Sequence, residues 1–227
     1  MNFAARTEPE FTFMLPGNWW RVSLTDEESR QADIRSIARD AFGKADNVAR
    51  LRADLRAELL RATELAVDGD ADSMYFAREV IQGVPLPVSL VVTYTADYAG
   101  ISPIQPERNL ETLVNSVDRI DDDSHDEADD DYVLGESAVV RRIRFQEPKE
   151  IDDSEIAGRA PSLSVNYWIT VPKRNRVLVM AFQTAFTELK EPLLDLYNAI
   201  VESIRWNVPD REPVADPDSD ISAETSE

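Results

Sequence analysis

The chain contains no cysteine, one histidine and seven glycines in 227 residues. Without thiols there are no disulfides, iron–sulfur clusters, thiolate zinc sites or cysteine nucleophile. The single histidine, His125, excludes a zinc site built from several imidazoles. It sits in the run 121–131 (DDDSHDEADDD), where nothing would hold the base of a Ser-His-Asp triad in position. The glycines, at 17, 43, 69, 83, 100, 135 and 158, form neither GxGxxG nor GxxxxGK(S/T). A glycine-rich cradle for a nucleotide is therefore missing, and no cofactor is expected.

Basic charge and long apolar runs are also missing. The formal net charge is −20, the opposite of the basic footprint that nucleic acid and anionic membranes demand. Eight acids fall in 121–131 and seven in 207–227, so the remainder is only mildly acidic. No stretch approaches the roughly 20 apolar residues that span a bilayer. Residues 1–9 have no apolar core of signal-peptide length. The expectation is a cytoplasmic protein with neither nucleic acid nor membrane as partner. Clustered carboxylates suit hard cations, but the acidic run lacks the glycine and the closing glutamate of an EF-hand, so no metal is expected.

What is present reads as a series of short elements. Residues 11–15 (FTFML) alternate as a strand, Pro16-Gly17-Asn18 is turn chemistry, and 19–24 returns, which predicts an opening hairpin. A helical pair is expected within 25–66. Ile34, Ile37, Ala38 and Ala41 mark the inner face of the first helix, with Gly43 as its C-terminal cap. Asp46 is the expected N-cap of the second. Its apolar stripe runs through Val48, Leu51, Leu55, Leu59, Ala62 and Ala66, and the sheet is the simplest cover for it. A second hairpin follows from 73–82 and 87–94. Pro106 opens a short helix with Leu110, Leu113, Val114 and Val117 inward. The acidic run 121–131 is expected as a loop, 135–146 as a strand, and 147–161 as a polar connection.

The most regular block is 163–206. Leu163, Val165, Tyr167, Ile169 and Val171 alternate with polar residues and Trp168, the period of a strand. Pro172-Lys173-Arg174-Asn175 turns the chain, and 177–184 returns with apolar residues on both faces, as suits the centre of a covered sheet. A closing helix puts Leu193, Tyr197, Ile200 and Ile204 on one face. The fold class is therefore α+β: an antiparallel sheet with helices on both faces and a helical-pair insert after the first hairpin. One domain is expected over 1–206, with a disordered acidic tail over 207–227.

Trp and Arg are over-represented at binding hot spots. Adjacent Trp19 and Trp20 must leave a strand on opposite sides, so they meet different environments. Arg142 and Arg144 share one face of their strand, while Arg141 lies beside Val139 and Ile143 and reads as a paired residue. Trp19, Trp20, Trp168, Arg142 and Arg144 are the candidate partner-binding residues. Their competing roles are structural: core burial for the tryptophans, pairing with neighbouring acids for the arginines. No catalytic, cofactor or metal residue is assigned.

Residues 11–20 (FTFMLPGNWW) resemble the opening strand, Pro-Gly and Trp of the Mog1/PsbP/DcrB-like α/β/α sandwiches. Residues 196–206 (LYNAIVESIRW) resemble their closing helix. The chain is also similar to a set of actinobacterial proteins with an LPxxWW-type opening and an EPLLDLYNAI-type closing helix. The resemblance implies an α/β/α sandwich and a non-enzymatic, protein-binding or adaptor role. The actinobacterial likeness suggests an accessory role beside a secretion or toxin system. The chain departs from the better-known members by its helical insert and by lacking their export signal. A protein partner is expected, with the chain itself a monomer or homodimer. The second class of function is a hydrolase with a carboxylate-only active site.

Overall fold

In β7 (Ser162–Thr170) and β8 (Val177–Thr184), alternate side chains leave on opposite faces, and both faces are covered. The computed structural model describes residues 10–43, 45–79, 87–95, 98, 100–101, 105–120, 126–146 and 161–207. The expected tail beyond 207, the acidic residues 121–125 and the connection 147–160 lie outside the described residues.

Around that pair the chain adds β2 (Asn18–Val22), β3 (Ser73–Glu79), β4 (Val88–Tyr94), β5 (Asp130–Leu134) and β6 (Ser137–Gln146). They form a seven-stranded sheet in the order β2-β3-β4-β8-β7-β6-β5, antiparallel at every pairing. A separate two-stranded ribbon joins β1 (Phe11–Thr12) to β9 (Arg205–Trp206). Four helices pack on the sheet: α1 (Glu27–Phe42), α2 (Ala49–Asp68), α3 (Pro106–Ile120) and α4 (Lys190–Glu202). The fold is α+β, with helices on both faces of an open antiparallel sheet. Among the described residues no helix is long and apolar enough to cross a membrane.

The face under α4 holds the main core. Leu193, Tyr197 and Ile200 of α4 meet Leu90, Val165, Tyr167, Met180 and Phe182 of the central strands. The Phe182 ring stacks on Tyr197 at 4.2 Å and meets Tyr167 edge-on at 5.8 Å. Phe11, Phe13 and Leu15 extend this cover over β3 and β4: Phe11 lies 5.9 Å from Tyr94, and Phe13 meets Tyr75 edge-on at 5.7 Å. The opposite face has two separate covers. α1 and α2 sit over β2 and β3 through Ile34, Ile37 and Leu59, and α3 sits beside β6 and β8 through Leu113 and Val117.

Three local expectations are corrected. The opening strands do not form a hairpin: Phe11 pairs with Trp206, whereas Trp20 pairs with Phe76. Gly17 does turn the chain, with φ of 77°, but Phe11, Phe13 and Leu15 pack on the aromatic cluster of the α4 face instead of beside β2. Asp46 does not cap α2; it opens a short 3-10 turn, Asp46–Val48, and the cap position falls to Val48 with no side-chain bond. The acidic run is not loop throughout, because Asp130 and Asp131 open β5. The β5–β6 connection is the two-residue turn Gly135-Glu136, and Gly135 there has φ of 61°, a region open to glycine at no steric cost.

Candidate functional site

The helical pair and the sheet enclose an open groove of about 960 Å³. Its position follows from how the pair is anchored. At one end, Asp33, near the middle of α1, accepts a hydrogen bond from the Ser23 amide at 2.9 Å, tying α1 to the residue that follows β2. At the other, Arg52 of α2 donates to the Gly43 and Ala45 carbonyls at 2.9 and 2.8 Å, fixing the turn between the helices. The stripe of α2 then meets the sheet over only part of its length. Leu59 and Ala66 are buried and Leu55 is half-buried, but Leu51 is 50% exposed.

Trp20 and Phe76, partners across β2 and β3, form the groove's aromatic floor. Leu55 and Leu59 of α2 and Ile37 of α1 form its roof. Phe42, at the end of α1, and Phe186, just after β8, stand at its mouth, each more than a third exposed. The polar lining includes Asp40, Glu58, Ser89 and Gln183. Arg78 also lines the groove, and its guanidinium lies 5.7 Å from the Trp20 ring centroid, a cation–π contact. The groove can desolvate apolar side chains between two aromatic gates. The described residues bring no three acidic or histidine side chains together as a metal site anywhere in the fold.

Of the five candidate residues, only Trp20 lines this groove. Trp19 leaves β2 on the other face, as the pleat requires, packs against the α4-side core and donates its indole N–H to the Pro16 carbonyl at 2.8 Å. Trp168 is half-buried against Val140 and Val177 on the α3 side. Arg142 is 2% exposed and holds Asp131 at 2.6 Å and Asp118 at 2.9 Å. Burial alone would lower its pKa, but these two carboxylates outweigh that and raise it. Both terminal nitrogens are thereby engaged by carboxylates of the same chain. Arg144 reaches Asp129 at 3.5 Å and the Ile143 carbonyl at 2.7 Å.

In the described part of the acidic run, Asp126, Asp129, Asp130 and Asp131 each meet a cation. Arg141 donates to the Ala128 carbonyl at 2.7 Å and to Asn198 at 2.8 Å, and lies 3.6 Å from Asp130. Lys190 of α4 donates to both oxygens of Asp126, at 2.7 and 2.9 Å. Partial burial would raise the Asp126 pKa, yet the Lys190 ammonium and the Ala128 amide together hold it below the ordinary carboxylate range. Asp126, Asp129, Asp130 and Asp131 thus tie this segment to β6 and α4.

The comparisons add little to this geometry. No family model matches the chain, and no curated protein matches it. Among solved structures it is similar to LpqN, described as involved in cell envelope biogenesis of Mycobacterium tuberculosis. The identity is 14%, over 59% of this chain and 70% of that one, with a TM-score of 0.36. A likeness that distant carries no argument.

Sequence reasoning reached Trp20 but not Phe42, Phe76 or Phe186. The signal that existed was the length of the α2 stripe: six apolar positions over five turns are more than three short strands can cover.

Proposed function

We propose that the protein is a non-enzymatic binding or adaptor protein on a Mog1/PsbP/DcrB-like sandwich, and that it takes its protein partner in the groove beneath the helical pair. The observation that carries this reading is the groove itself, with Trp20 and Phe76 on its floor and Phe42 and Phe186 exposed at its mouth. Exposed aromatic side chains around a concave apolar surface are what a peptide or helix buries when it docks. Its charge, with 44 acids against 24 basic residues, favours protein partners over nucleic acid. A cytoplasmic location and an accessory role beside a secretion or toxin system belong to the same reading.

Photo-cross-linking in the native host tests it. A benzophenone amino acid placed at Phe42 or Phe186 should give the same protein adduct. The same group at Met14, an exposed apolar residue on the β1 segment (69% exposed), should not. Adducts with a second copy would identify the groove as a homodimer interface. Adducts that form equally at Met14 would remove the groove from the reading. Hydrolysis by the purified protein, abolished by Asp40→Asn with Glu58→Gln, would replace the adaptor with the carboxylate-only hydrolase.

A further inference from the structure

The groove carries a second kind of information, in the sign of the charge around it. Asp40 of α1 and Glu58 of α2 both line it, both are exposed, and neither forms an ion pair among the described residues. The groove's described cation, Arg78, is turned onto the Trp20 ring. This contrasts with the acidic segment 126–131, where Asp126, Asp129, Asp130 and Asp131 each meet a cation of β6 or α4. Two carboxylates on adjacent helices thus stand without a contacting cation among the described residues beside an apolar trough. We infer that the groove's occupant is an amphipathic helix of another protein, whose apolar row enters between Trp20, Phe76, Leu55 and Leu59 and whose flanking lysines or arginines meet Asp40 and Glu58. This rests on the protein-binding reading above and adds the chemistry of the partner.

Shape and charge lead to the same occupant. A volume of about 960 Å³ is far more than one side chain fills and lies at the upper end of ligand-pocket sizes. It runs from the end of α1 past the middle of α2, and Phe42 and Phe186 at the mouth extend the apolar surface outward. Helix-in-groove recognition inserts side chains at i, i+3, i+4 and i+7, and places the neighbouring positions over the rim. At the rim here those positions meet negative charge. With a net charge of −20, the chain as a whole also attracts a basic segment and repels an acidic one.

The test uses the full chain and two synthetic helical peptides of about four turns, one of Leu and Lys, the other of Leu and Glu in the same pattern. Binding is measured by calorimetry, and the site is read from the NMR indole signals of the four tryptophans, with Trp20→Phe identifying the Trp20 signal. The Leu/Lys peptide is expected to bind and to shift Trp20 well beyond Trp19, Trp168 and Trp206. Asp40→Lys with Glu58→Lys should weaken it by about tenfold or more without changing the melting temperature, since both residues are exposed. Phe42→Ser, which leaves the charges in place, should also weaken it. The proposal is overturned if the double charge reversal leaves affinity unchanged. Binding of the Leu/Lys peptide that leaves Trp20 unshifted, or equal binding of the Leu/Glu peptide, overturns it as well. If Leu/Glu binds at Trp20 as well as Leu/Lys, protein binding in the groove survives and only the basic partner falls. If neither peptide reaches Trp20 and cross-linking at Phe42 captures no protein, both readings fall.

Discussion

On the face of the sheet covered by α4, Leu90, Val165, Tyr167, Met180 and Phe182 have no exposed surface, whereas Val91, Trp168 and Val179, on the other face of the same strands, remain half-buried. The strands are shared, so the difference comes from what covers them. On one side α4 and residues 11–15 form a continuous apolar layer. On the other, α1 with α2 and α3 are two blocks over opposite ends of the sheet, and a groove opens beside the first. Among the described residues, the central strands are sealed from water under α4, while on their other face several apolar side chains keep partial exposure.

That contrast can be broken from either side. The largest effect should come from the closed face: Phe182→Ala removes a ring in contact with both Tyr167 and Tyr197 and should cost about 3–5 kcal/mol in denaturant unfolding. Next is Arg142→Ala. It deletes a buried cation, but its partners Asp118 and Asp131 are 37% and 33% exposed and can rehydrate. The expected loss is therefore about 1–3 kcal/mol, below the range for a fully buried pair. On the open face, Leu55→Ala should cost only about 1–2 kcal/mol because its side chain is half-buried. It should leave the solution mass unchanged by light scattering unless the groove joins two copies.

The smallest effect concerns pH. The Asp126 carboxyl is held below its ordinary pKa in the folded protein, so its contribution is complete above the unfolded value of about 3.9 and disappears as pH falls through the lower folded value. Lys190→Met should therefore lower the melting temperature at neutral pH and make little difference in strong acid. An equal decrease at both extremes would mean that Lys190 acts through packing rather than charge.

Much of the closed face was legible in the sequence, and little of the open one. The period of two in 163–171 and the spacing of Leu193, Tyr197 and Ile200 placed β7 and α4 because buried faces constrain residue type at every step. The opposite directions of Trp19 and Trp20 followed from the pleat alone. β5 was hidden because Asp130 and Asp131 read as solvated loop until their partners Arg141 and Arg142, brought close only by folding, are known. The groove was hidden for a related reason. The sequence showed that the α2 stripe needs cover, but the extent of that cover depends on where three short strands end.

The pairing of β1 with β9 has a consequence for synthesis. Phe11 and Thr12 pair with a strand far along the chain, and the Met14 amide donates to Ser203 Oγ across 189 positions of sequence. At roughly 5–20 residues per second, β1 waits on the order of 10–40 s for its partner to be translated. During that interval Phe11, Phe13 and Leu15 are exposed to any chaperone or neighbouring nascent chain, so β1 reaches its native place only once β9 has been made.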